Sequence, residues 1–91
     1  MIERYCQSCG RMMREEQDYG REEDGCINEN YCSHCYRNGQ FTEPNLTRWQ
    51  IVARILPIWM KEKHLTYRDA LVDANYFISS LRRWHARQTW T

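Results

Sequence analysis

Two cysteine pairs, Cys6-Gln7-Ser8-Cys9 and Cys32-Ser33-His34-Cys35, limit what this chain can fold into more than anything else in it. Each C-x2-C pair offers two thiolates from one tight turn, and a tetrahedral metal site needs four. The residues from Gly10 to Tyr31 therefore read as a polypeptide bent to bring the pairs together. The expected occupant is one structural zinc ion per chain. Iron, or an iron–sulfur centre, is the alternative metal reading. A redox dithiol is disfavoured, because that chemistry wants a C-x2-C at a helix start within a βαβ pattern. Four thiolates leave no open coordination position, so such a zinc folds its domain and does not catalyse.

Cys26 is the fifth cysteine. The gap from Cys9 to Cys26 also suits a ligand, which makes Cys26 a rival for the place of Cys32 or Cys35. It has no C-x2-C partner, however, and follows the Asp24-Gly25 turn directly, so it reads as a free thiol. His34 lies between two ligands and is expected to face solvent, as are His64 and His85 at helix ends. An odd cysteine count argues against a disulfide framework. No charged start leads into an apolar stretch, and the longest apolar run, Ile51 to Met60, is interrupted by Arg54 and Pro57. The expectation is no signal peptide, no membrane span and a reducing cytoplasm.

At 91 residues the chain allows one compact domain or two small lobes. Its charge is unevenly spread. Residues 1–45 carry five arginines against nine acidic side chains, a net −4, whereas residues 46–91 carry eight basic against three acidic, a net +5. A tetrathiolate zinc adds a further charge of about −2 to the first half. That half is poorly suited to phosphate. Glu15, Glu16, Glu22, Glu23 and Asp24 read as a solvated acidic face.

The first 44 residues hold every glycine and every cysteine, without a sustained apolar period. Gly10 directly follows the first pair, where a positive φ lets backbone N–H groups curl toward sulfur. Asp24-Gly25 and Asn38-Gly39 are hairpin-turn dipeptides, the first predicting a hairpin between the cysteine pairs. Phe41 beyond the second turn is placed to cap the site. Met12 to Glu16 reads as a helical turn or a loop. After Glu43-Pro44-Asn45 the composition changes. Thr47 and Gln50 fit a capping box, and Ile51, Val52, Ile55, Leu56, Trp59 and Met60 follow a helical period. Pro57 is expected to kink or split that helix. Thr66 resembles a second cap, and Tyr67, Ala70, Leu71, Ala74, Phe77, Ile78, Leu81 and Trp84 form one stripe, predicting a helix from Tyr67 to about Trp84. A short turn between the helices implies antiparallel packing.

The strings Cys6-Gln7-Ser8-Cys9-Gly10, Tyr19-Gly20 to Asp24-Gly25, and Tyr31-Cys32-Ser33-His34-Cys35-Tyr36-Arg37-Asn38-Gly39-Gln40-Phe41-Thr42 resemble a family of small, mostly prokaryotic zinc-ribbon proteins. The helical part ending in Leu81-Arg82-Arg83-Trp84 is similar too. The resemblance implies zinc on Cys6, Cys9, Cys32 and Cys35. Relatives typically carry a Met-Pro pair after the first cysteine pair, where this chain has Arg11-Met12-Met13.

The expected fold is α+β: a zinc ribbon over residues 1–44 with short β-hairpins, packed on an antiparallel helical hairpin over residues 45–91 with a basic C-terminal tail. The expected function is a zinc-binding structural and interaction module, non-enzymatic, of a kind suited to regulation and mediating protein–protein contacts. No G-x-S-x-G turn, phosphate-binding loop or nucleophile–base set is present, and no small-molecule substrate is identified. The alternative is nucleic-acid binding through the basic aromatic end, with Arg82, Arg83 and Arg87 on phosphates and Trp84 and Trp90 stacking on bases. Three arginines at a helix C-terminus also follow from dipole complementarity alone.

Overall fold

The computed structural model describes residues 4–85. The chain divides into two compact units between Asn45 and Leu46.

The first unit is three antiparallel strand pairs, each two strands wide. Strand β1 (Arg4–Tyr5) pairs with β2 (Met12–Met13) across the first cysteine pair. Strand β3 (Tyr19–Arg21) pairs with β4 (Ile27–Cys32), and β5 (Tyr36–Arg37) with β6 (Gln40–Phe41). Both turn dipeptides behave as read. Gly25 has φ +91° at the β3–β4 tip, and Asn38 and Gly39 both take positive φ, 54° and 78°, in the two-residue β5–β6 turn.

Met12 to Glu16 is neither a helical turn nor a plain loop. Met12 and Met13 form strand β2, and the helical turn comes later as a 3-10 turn over Glu16–Asp18. The cause is burial: Met13 is fully buried with Cys6, Tyr19 and Cys32 in a small core against which Cys9, Ile27, Tyr31 and Cys35 pack. The Asp18 carboxylate accepts the Glu15 and Arg14 amides at 3.0 Å each, which fixes the turn and holds its pKa below the usual carboxylate value.

The register of β3 against β4 jumps between Tyr19, opposite Cys32, and Gly20, opposite Asn28. The extra residues of β4 form a bulge stitched by Asn28, whose Oδ1 accepts the amides of Asn30 (2.8 Å) and Tyr31 (3.2 Å). Asn28 Nδ2 donates to Glu22 at 2.7 Å, and the other Glu22 oxygen accepts the Tyr36 hydroxyl at 2.9 Å. Glu22 thus leaves the solvated acidic face to which its sequence neighbours assigned it. It ties the bulge to β5.

The second unit begins with α1 (Arg48–Lys63), opened by the expected capping box: Thr47 Oγ1 accepts from the Gln50 amide at 3.2 Å, and Gln50 Oε1 accepts from the Thr47 amide at 2.8 Å. Pro57 does not split this helix. The ring deprives the Ala53 carbonyl of its amide, and Ala53 is exposed, so the loss falls on the side of the helix open to solvent. His64, in the left-handed region at φ 55°, ends α1.

Helix α2 (Tyr67–Ser79) starts with Thr66 accepting the Asp69 amide at 3.2 Å. It stops well short of Trp84. The Ser80 hydroxyl donates to the Phe77 carbonyl at 2.6 Å and its amide turns to the same carbonyl, converting the helix to tighter turns. A four-residue helix, α3 (Arg82–His85), follows. Ala70, Ala74, Ile78, Leu81 and Trp84 of the stripe are buried, whereas Tyr67 is exposed at the helix start. Arg48, at the start of α1, donates to Asn75 Oδ1 (2.6 Å) and Ser79 Oγ (2.7 Å) late in α2, so the pair runs back on itself. No helix among the described residues is long and apolar enough to cross a membrane.

Candidate metal centre

Gly10, at φ 79°, closes the first cysteine turn: its amide donates to the Cys6 carbonyl at 2.9 Å, and the Cys6 amide donates to Arg11 at 2.7 Å. The second turn repeats the pattern, the Cys35 amide donating to the Cys32 carbonyl at 3.0 Å and Thr42 closing back onto Cys35 at 2.9 Å. The β4 bulge joins the two, since Asn30 accepts the Gln7 amide at 2.6 Å.

The result is that the Sγ atoms of Cys6, Cys9, Cys32 and Cys35 all lie within 4.8 Å of one another. Cys9 and Cys32 are 3.8 Å apart at sulfur. A disulfide needs about 2.05 Å. The edge of a tetrahedron with metal–sulfur bonds of about 2.3 Å is about 3.8 Å, so the spacing fits one zinc. It also sets aside a polynuclear iron–sulfur cluster, whose ligand sulfurs are spread around several metals. Cys6 and Cys32 are fully buried, and Cys9 and Cys35 half-buried.

The electrostatics favour a cation. As free thiols the four share protons. Cys6 is held far below the ordinary thiol range because it accepts from Cys32, and then from Cys35 and Cys9. Cys32 is lowered to about 6, chiefly through Cys35, while Cys9 and Cys35 are pushed up, each chiefly through Cys32. The Cys6 sulfur additionally receives the Ser8 amide at 3.4 Å and the Cys32 amide at 3.3 Å, which offset negative charge on a buried thiolate. One divalent ion replaces the shared protons.

A family model described as "Putative zinc ribbon domain" matches residues 5–85. The chain belongs to this zinc-ribbon family. No curated protein and no solved structure matches it significantly. The ribbon's four sulfurs are placed to hold one zinc ion per chain.

Cys26 stands apart from the zinc-ribbon cluster, exposed at the tip of the β3–β4 hairpin. Asp24 Oδ1 accepts its amide at 3.0 Å, and the same carboxylate pushes the Cys26 thiol pKa up. His34 is exposed. Phe41 packs edge-on against Tyr31 at 4.8 Å and against Tyr36 at 5.5 Å, which places an aromatic cluster beside both residues that flank the second pair.

The residues named for nucleic acid are scattered in their accessibility. Arg82 is exposed, but Trp84 is 1% exposed and Arg83 9%, with the guanidinium 4.7 Å above the Trp84 ring. A ring buried in this way presents no face to a base. Arg87 and Trp90 lie outside the described residues. Asn28, Glu22 and Met13 support the site without having stood out in the sequence. Of these, only the Asn28–Glu22 spacing across a turn dipeptide could have hinted at a cross-hairpin pair.

Proposed function

We propose that this zinc ribbon is a structural and interaction module that makes protein–protein contacts and carries no catalytic activity. The closure of the metal site carries this reading: four sulfurs within 4.8 Å, two of them fully buried, leave a zinc no position for water or substrate. Function then rests on the surfaces that the fold presents. Among the described residues Trp49, Ile58, Tyr67, Val72 and Tyr76 of the helical unit are each at least half exposed, apolar area of the kind protein contacts bury. The nucleic-acid reading loses one of its two stacking residues with the burial of Trp84.

The test uses the zinc-loaded chain as immobilised bait in extract of its own host, alongside light scattering of the pure protein. A retained partner or self-association is expected. A strict monomer that retains nothing defeats the reading.

A further inference from the structure

Asn38-Gly39 is the one Asn-Gly step in the chain; the other asparagines precede Glu29, Tyr31, Leu46 and Tyr76. An Asn-Gly step is open to a reaction that needs only water. The glycine amide nitrogen attacks the asparagine side-chain carbonyl carbon, ammonia leaves, and a succinimide ring closes. Water then opens the ring at either carbonyl, giving aspartate or, chiefly, isoaspartate, whose main chain runs through the former side chain and is one carbon longer. Glycine permits the attack because no Cβ shields its nitrogen, whereas the side chains after the other asparagines hinder it. Asp24-Gly25 offers the same geometry but an ionised carboxylate at neutral pH, a poor target for an amide nitrogen.

The native turn withholds what this reaction needs. The Gly39 amide donates to the Arg21 carbonyl of β3 at 3.0 Å, so the attacking nitrogen is engaged. Asn38 and Gly39 are fixed at φ 54° and 78°, and a Cβ built on Gly39 would lie 3.3 Å from the Glu23 nitrogen and 3.5 Å from Glu23 Cβ. The turn is pressed onto the strand below it, and the rotation into ring closure requires it to lift off. Asn38 itself is exposed, so water reaches it once that happens. What holds the turn down depends on the metal. Tyr19 of β3 lies opposite Cys32, Tyr36 of β5 follows Cys35, and the Thr42 amide after β6 closes onto the Cys35 carbonyl at 2.9 Å. Two-stranded ribbons have little stability of their own, so these pieces stay together because the sulfurs do.

We propose that Asn38-Gly39 is a deamidation site which bound zinc protects, so that prolonged loss of the metal is written into the chain as a covalent change. In the zinc-free chain the Gly39 nitrogen is released and isoaspartate forms at position 38. The added main-chain carbon does not fit the two-residue turn. It breaks the pairing of Tyr36 with Phe41 and of Arg37 with Gln40, and with it the Thr42 closure of the second cysteine turn. A chain modified in this way no longer rebuilds its metal site. The inference concerns the ribbon and its metal, and stands or falls apart from the partner reading above.

The experiment ages the full chain in warm, mildly alkaline buffer under a phosphine reductant, with bound zinc or with excess chelator, and follows the Asn38 peptide by mass spectrometry with isoaspartate detection. Deamidation without zinc is expected to run at least about tenfold faster than with it, because in the loaded chain the reaction waits on local opening of the turn. The aged zinc-free samples are then given fresh zinc and their metal content is measured. The native chain loses zinc uptake in proportion to its isoaspartate, whereas Asn38→Gly, whose Gly-Gly turn suits the same geometry and has no side-chain amide, keeps it. Equal deamidation rates with and without zinc overturn the proposal. So does an aged Asn38→Gly chain that loses uptake as the native one does. Should Asn38→Gly fail to bind zinc even before ageing, the aged native chain is separated by anion exchange, since the modification adds a negative charge. Isoaspartyl chains that then take up zinc as well as unmodified ones overturn the proposal equally.

Discussion

Replacing Gly20 with alanine tests how the ribbon holds its second cysteine pair. Gly20 is buried in β3, and a Cβ built there would lie 2.5 Å from the Tyr36 carbonyl oxygen, 2.9 Å from Tyr36 Cβ and 3.2 Å from the Tyr31 carbonyl oxygen. Ordinary van der Waals contact begins at 3.4 Å, so the worst approach is about 0.9 Å too close. The obstructing atoms are backbone and a Cβ, which cannot swing aside, and Tyr31 and Tyr36 adjoin Cys32 and Cys35. Overpacking of this kind costs about 1–3 kcal/mol. Because metal binding and folding of such a site are one equilibrium, the cost emerges as zinc affinity lowered about 5- to 150-fold. Competition against a chromophoric chelator of known affinity reads it directly. Gly25→Asn is the control for strain without collision: a Cβ there meets nothing within 4 Å, asparagine tolerates positive φ better than other side chains, and the strain that remains at φ +91° falls at the hairpin tip away from the sulfurs, so zinc affinity stays within about twofold of native. A Gly20→Ala protein that also stays within about twofold refutes the reasoning, since the β3–β5 approach would then be soft.

Four further outcomes are expected. Cys26→Ser binds one zinc per chain, measured by metal analysis, because Cys26 is outside the cluster. Alkylation of Cys26, followed by peptide mass spectrometry, needs a higher pH than an ordinary thiol; the raised pKa keeps the thiolate scarce, and Asp24→Asn moves the profile back down. Asn28→Ala removes the acceptor for two bulge amides and one bond to Glu22, and lowers zinc affinity by about tenfold, about 1.4 kcal/mol, in the same chelator assay. Thr47→Ala destabilises the helical unit by about 1 kcal/mol in chemical denaturation and leaves zinc affinity unchanged.

What was legible in the sequence was what depends on near neighbours. The C-x2-C spacing, the Asp24-Gly25 and Asn38-Gly39 turns and the Thr47–Gln50 box each specify their own geometry within a few residues, and each is formed. Met13 and Tyr19 are core only because the metal site folds β2 and β3 onto one another, so no periodicity marks them. Glu22 looked like one more acid in a run until the hairpin set Asn28 and Tyr36 beside it. In the helical half the stripe continues past Ser79 and Ser80 to Trp84, but the Ser80 hydroxyl competes for a backbone carbonyl and ends the helix where periodicity alone extends it. In sequence Trp84 suits both the apolar stripe and a stacking ring, and its burial is that of the stripe.

The two-strand width of every sheet in the ribbon has a consequence for how its length varies. Among the described residues no third strand pairs at the β3–β4 tip, where Glu23, Asp24 and Gly25 are exposed; beyond Arg21, which accepts the Gly39 amide, the closing backbone bonds join only Glu22 to Cys26 and to Gly25. The spacing of the sulfurs is fixed at the other end of the hairpin. The tip is accordingly the place where residues can be inserted or a peptide grafted at little cost, lengthening the finger while the metal end keeps its shape.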